Sequence, residues 1–127
     1  MLSNACVTTI LPVVDMKRAR EFYEGKLGFK PDGPKPTGDV VYHLGGGAQI
    51  ALHSKEGGTK ADHTALSFEV DDIAADIRDL ERAGIVFEDY DMPGLKTVNH
   101  ICVLGSEKAA WFKDPEGNYL CLHEEVH

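Results

Sequence analysis

The sequence predicts an α+β fold: two βαβββ modules, residues 1–55 and 62–127, whose mixed sheets close around a shared cavity. Three observations predict it. Residues 13–29, VVDMKRAREFYEGKLGF, and residues 70–85, VDDIAADIRDLERAGI, follow one plan: a β-branched strand end, an aspartate, a helical stripe, then glycine and an apolar residue. Strand-like segments flank each helix in the same order. CVTTIL precedes the first, with FKPDG, DVVYHL and AQIALH after it; TALSFEV precedes the second, with VFEDY, KAAWFK and YLCLHE after it. Finally, 127 residues are too few for two independent cores, so the halves should form a single domain with one interior.

The first helix is expected from Met16 to Leu27. Met16, Ala19, Phe22, Tyr23 and Leu27 recur with a period near 3.6, Asp15 is placed to cap the start, and Gly28 stops it. The second is expected from Ile73 to Ala83, on a stripe of Ile73, Ile77 and Leu80. Asp71 or Asp72 caps it and Gly84 ends it. Residues 54–62, SKEGGTKAD, connect the modules. An insertion at residues 91–107 carries Pro93, Gly94 and an extra strand around HICVL. In KDPEGNYLCLHE, residues 113–124, Pro115 presets φ, Gly117 supplies the left-handed position, and Asp114 accepts from the turn backbone. Along the strand that follows, Tyr119, Cys121 and His123 share one face while Leu120 and Leu122 share the other.

Composition narrows the function classes. A net charge of −8 argues against a nucleic-acid partner, since a phosphate backbone needs a basic face. No apolar run is long enough to span a membrane. The N-terminal MLSNACVTTILPVVD lacks a basic start and meets Pro12 and Asp15, unlike a signal peptide. A cytoplasmic protein is expected. Cys6, Cys102 and Cys121 are an odd number without a C-x-x-C pair, so free thiols are expected instead of a zinc ribbon or a thioredoxin-type motif.

Paired βαβββ modules, a first helix reading D-x-x-R-A-x-x-F-Y-x-x-x-L-G-F, and the turn D-P-E-G-N resemble the vicinal oxygen chelate superfamily. That group includes glyoxalase I, bleomycin resistance proteins, fosfomycin resistance enzymes and extradiol dioxygenases. The likeness covers nearly the whole chain. Its motifs are structural, so the reaction must be argued from the site.

The resemblance implies where a metal would sit. The family's metalloenzymes hold a divalent cation with inward-facing His, Glu or Gln from the first and last strand of each module. Those positions fall on Thr8, Ala51, Ala65 and Cys121. Alanine has no donor, threonine is a poor ligand, and one thiolate alone holds little, so no metal and no cofactor are expected. A displaced set also faces inward: Cys6, His53, His63 and His123 each stand two residues from one of those positions. If the first and last strands of a module run parallel, these shifts diverge toward opposite ends and do not make one site.

The inward polar positions Thr8, Gln49, His53, Ser67 and Cys121 suit a small-molecule pocket with apolar walls. Trp111, the only tryptophan, either stacks on a planar ligand or fills the core; alternation leaves open whether Trp111 or Phe112 points inward. Cys121 as a nucleophile would need His53 or His123 as its base, and buried cysteine is usually inert. Residues 88–100 form an acidic loop, a lid, partner contact or edge cover, from which Tyr90 and His100 could reach a ligand. Two readings follow. One is a metal-free module that binds a small molecule for sequestration, resistance or sensing, in a homodimer as the family implies. The other is a lyase, isomerase or dioxygenase with a displaced metal site.

Overall fold

The computed structural model describes residues 2–58 and 62–125. Residues 59–61 of the predicted connection and the last two of the second module lie outside them. The chain divides into two compact units, Met1–Thr59 and Lys60–His127. Each holds one open mixed sheet and one main helix.

In the first unit the strands are β1 (Thr8–Val13), β2 (Val40–His43) and β3 (Gln49–Ser54), ordered β1-β3-β2. β1 and β3 run parallel, with Thr8 opposite Gln49 and Pro12 opposite His53; β2 runs antiparallel to β3. Helix α1 (Met16–Arg20) starts at Asp15, whose carboxylate accepts the Arg18 N–H at 3.0 Å. Sequence periodicity predicts one α-helix to Leu27, but the segment Glu21–Lys26 winds as a π-helix, closed by Leu27 N–H donating to the Phe22 carbonyl. The wider turn lets two consecutive aromatics, Phe22 and Tyr23, both reach the interior, in a T-shaped contact at 5.1 Å. Tyr23, Phe29 and Tyr42 continue the cluster. The Tyr42 hydroxyl is buried and donates to Glu24 at 2.8 Å, and Glu24 also accepts from Arg20 at 2.6 Å.

FKPDG, expected as a strand, reduces to a single bridge between Pro31 and Tyr42. Pro31 has no N–H for a ladder, and Pro34 and Pro36 follow, so the chain crosses as a loop. Two carboxylates tie that loop to the sheet. Asp32 meets His43 at 3.1 Å and Lys35 at 2.7 Å, and Asp39 meets His53 at 2.7 Å. Lys35 first, then His43 and the Gly33 N–H, draw the Asp32 carboxyl down to about 2.

The second unit has β4 (Thr64–Glu69), α2 (Ile73–Arg82), a small hairpin of β5 (Asp91–Met92) and β6 (Leu95–Lys96), then β7 (Cys102–Leu104), β8 (Glu107–Lys113) and β9 (Tyr119–Glu125). Its main sheet is ordered β4-β9-β8-β7, with β4 and β9 parallel. The extra strand predicted around HICVL is β7. VFEDY, expected as a strand, meets β8 through the Phe87–Phe112 bridge and a bond from Glu88 N–H to the Trp111 carbonyl, while its last residue, Tyr90, bonds Thr97 instead. Asp72 caps α2 through the Ala75 N–H at 3.1 Å, and Glu124 on β9 accepts the Ile73 N–H at 2.9 Å, fixing the helix start on the sheet. One sheet face, with Ala110, Phe112, Leu120 and Leu122, is buried with Ile73, Ile77, Ile85 and Phe87. Side chains at Ser67, Trp111, Cys121 and His123 alternate to the other face.

Candidate functional site

The open face of the second unit gathers its chemistry along the pairing of β4, β9 and β8. Cys121 stands at the centre, opposite Ser67 on one side and Trp111 on the other. Directly paired residues project to the same face, so the three form one cross-strand row. His123 lies two residues further along β9, opposite Glu69. Parallel register thus brings together two residues 56 apart in sequence: Ser67 Oγ lies 2.6 Å from His123 Nδ1.

Trp111 does not enter the core; Phe112 does. From β8 the indole crosses over β9, and its Nε1–H donates to Thr64 Oγ1 on β4 at 3.2 Å. Tyr90 meets it edge-on at 5.8 Å. The register sets Trp111 next to Cys121, which is only 5% exposed although it faces away from the helix. Burial pushes the Cys121 thiol up; hydrogen bonds from Ser67 and the Ala110 backbone oppose this, and Glu107 adds to the rise. A thiol with a raised pKa stays protonated at neutral pH, which suits neither a metal ligand nor a nucleophile. Its Sγ donates to the Leu122 carbonyl at 3.2 Å. Ser67, by contrast, is exposed, and His123 is half-buried.

The first unit carries a smaller polar pair. Thr8 Oγ1 donates to Gln49 Oε1 at 3.2 Å across β1 and β3. His53 points to the same side of β3 but is taken by Asp39. Ala51 is buried, and Ala65 sits at the irregularity in the β4 ladder between Thr64 and Leu66. The four positions where the family resemblance placed a metal therefore hold a hydroxyl, two methyl groups and a buried neutral thiol, and do not fit a divalent cation. The displaced set does not converge within either unit. Cys6 precedes β1, while His53 sits near the far end of its parallel neighbour β3; His63 precedes β4, while His123 sits near the far end of β9. His63 is 76% exposed, beside Asp62 at 3.9 Å. Among the described residues no group of three or more His, Cys, Asp and Glu side chains is arranged to hold a metal ion.

His100, which the loop sequence offered as a ligand contact, is tied down instead. It lies 2.9 Å from Asp89 and 3.5 Å from Glu81, with its ring near Phe87. The pairing of Ser67 with His123 was not legible from alternation alone. Its signal is the register of two parallel strands that are distant in sequence.

The family model described as Glyoxalase/Bleomycin resistance protein/Dioxygenase superfamily matches residues 5–122. The chain belongs to that superfamily. Its fold matches solved superfamily members across nearly their whole length. A structure assigned to the glyoxalase family from Bacillus anthracis aligns with a TM-score of 0.75 at 17% identity, covering 96% of this chain and 95% of that one. A superfamily member from Sphaerobacter thermophilus DSM 20745 gives 0.74 at 24% identity, covering 98% and 100%. TnmS3, an antibiotic binding protein from Streptomyces sp. CB03234, gives 0.70 at 22% identity, covering 99% of both. A comparison with curated proteins returns no match. At such identities the superfamily fold is shared while the site chemistry is this chain's own. Among the described residues no helix is long and apolar enough to cross a membrane.

Proposed function

We propose that this superfamily member binds a small planar aromatic molecule without a divalent metal, on the open face of its second unit, to sequester or sense it. The observation that carries the reading is the Trp111 indole, which reaches across β9 to Thr64 on the sheet face that also bears the Ser67–His123 pair. An aromatic face next to a hydroxyl and an imidazole is what a ligand with a flat ring and a hydroxyl or carbonyl substituent needs. The ring stacks, and the polar pair fixes its orientation. Cys121 stands next to Trp111 as a neutral thiol. Thr8, Gln49 and His53 give the first unit's sheet a second polar surface for ligand. The antibiotic-binding role of TnmS3, which has the same fold, supports the binding class.

The metal-free character follows from the donor set: two alanines, a threonine and a protonated thiol at the four family positions. Untagged protein is expected to carry sub-stoichiometric Ni, Zn, Mn and Fe. Stoichiometric metal that Cys121→Ala and His63→Ala abolish would overturn this part. We infer further a cytoplasmic homodimer. Three unpaired cysteines suit a reducing compartment, and exposed Val103 and Leu104 on the edge strand β7 offer apolar surface to a second copy.

The test uses the single tryptophan as reporter. Titration with 2-naphthol, a planar phenol, is expected to change Trp111 fluorescence saturably. Ser67→Ala is expected to weaken binding about tenfold, the loss of one hydrogen bond to the ligand. Unsaturable change, or equal affinity in Ser67→Ala, would contradict the proposed orientation.

A further inference from the structure

We propose that Ser67 and His123 form a nucleophile–base pair that transfers the acyl group of aryl esters to the Ser67 hydroxyl. The inference rests on the binding reading above and deepens it, since the aryl group would occupy the same indole face.

Three observations carry it. The Ser67 oxygen lies 2.6 Å from His123 Nδ1, within the range in which a hydroxyl donates its proton to a ring nitrogen. The hydroxyl is exposed, whereas the neighbouring thiol is buried. Attack by oxygen is therefore open where attack by sulfur is closed. Both residues stand on a rigid parallel ladder, with Val70 N–H bonded to the His123 carbonyl at 2.9 Å, so the pair is held by sheet geometry. The substrate class follows from the row Ser67–Cys121–Trp111. Two strand spacings, about 10 Å, separate the ends of the row. The indole reaches from β8 over β9 to Thr64, three residues before Ser67 on β4, so an aryl ring stacked on it shares the sheet face with the hydroxyl.

For Ser67 to donate, Nδ1 must be unprotonated, which sets His123 as the Nε2–H tautomer. In the acylation step the Ser67 oxygen forms a bond to the acyl carbon and its proton passes to His123 Nδ1. The bond between the acyl carbon and the aryloxy oxygen then breaks, and the leaving phenolate takes the proton from the imidazolium. In deacylation a water molecule adds to the acyl carbon and gives its proton to His123. The Ser67 oxygen leaves and takes that proton back. Ester and water become acid and phenol, with no change of oxidation state. Glu69 stands opposite His123 in the register.

The experiment incubates Cys6→Ser protein, which removes the exposed thiol, with p-nitrophenyl acetate. Nitrophenol release is followed, and the acetylated residue is located by peptide mass mapping. One acetyl group on Ser67 is expected, formed at a rate that depends on pH. Ser67→Ala should abolish it. His123→Gln should slow it by about a hundredfold and flatten the pH profile, while Ser67→Cys should restore acylation. Acetylation spread over lysines, or unchanged in Ser67→Ala, would overturn the proposal. So would a His123→Gln rate equal to the parent's. Each sample is also titrated with 2-naphthol. Saturable binding without Ser67 acylation overturns the acyl transfer alone and leaves the binding reading standing. Absence of both overturns both.

Discussion

Ser67 Oγ and His123 Nδ1 meet at 2.6 Å although 56 residues separate them. The contact depends on β4 and β9 running parallel, which places the C-terminal half of each side by side. It also depends on the irregularity between Thr64 and Leu66, which sets the phase of β4 so that Ser67, not Leu66, shares a face with Cys121. A one-residue slip would turn the hydroxyl toward the helix and a leucine toward the face that carries Cys121.

Thiol chemistry separates the three cysteines. Cys6 is exposed, while Cys102 and Cys121 are buried. In native protein at pH 8, a thiol-exchange reagent such as DTNB is expected to modify one thiol quickly. The other two should react roughly a hundredfold slower, the factor for a local opening costing about 3 kcal/mol. All three should react at once in denaturant. Two fast thiols in the native state would mean that Cys121 is not shielded.

Trp111 pairs with Cys121 across β8 and β9, so its removal should expose Cys121. Trp111→Ala is expected to bring a second thiol into the fast class. Thr64→Val, which only releases the indole N–H, should have a smaller effect. Equal Cys121 reactivity in parent and Trp111→Ala would show that other groups bury the thiol.

The buried Tyr42 predicts alkaline sensitivity. Burial first, then the Glu24 hydrogen bond and charge, push its hydroxyl well above the ordinary tyrosine range; Arg20 opposes the rise. A group whose pKa is raised on folding contributes stability that is complete below its unfolded value, about 10, and lost as pH rises toward the folded one. Parent protein should therefore lose stability steeply above pH 10, and Tyr42→Phe less so. At pH 7 the same change is expected to cost about 0.5–1.5 kcal/mol for the lost bond to Glu24. Parallel stability curves from pH 7 to 11 in denaturant melts would contradict this.

The turn before β9 hangs on Asp114. Its buried carboxylate accepts the N–H groups of Glu116 at 3.0 Å and Asn118 at 2.8 Å, and the Asn118 side chain at 3.1 Å. Asp114→Ala leaves these donors without their acceptor and is expected to cost about 2–4 kcal/mol. Asp114→Asn retains one acceptor oxygen and should cost less. Denaturant midpoints at constant slope check the order.

The helices, the central strands and the repeated plan were legible because 3.6 and 2 are strong periods and aspartate and glycine mark the helix ends. The second strand of each module was not. Pro31 breaks the ladder in one case, and in the other only Phe87 and Glu88 reach β8. Alternation leaves the side of Trp111 open, because it fixes which residues share a face, not which face is buried. The register against β9 decides it. The faces of Ser67, Cys121 and His123 were readable from their strands, but not the contact between Ser67 and His123. That needs the relative slide of two strands whose only link in sequence is a long connection.

The most direct measurement is the titration of metal-stripped, EDTA-dialysed protein with 2-naphthol, read by Trp111 fluorescence. Saturable binding of unchanged affinity after chelation, weakened about tenfold by Ser67→Ala, is the predicted result. Binding that vanishes on chelation and returns with added Zn, Mn, Ni or Fe would contradict the account.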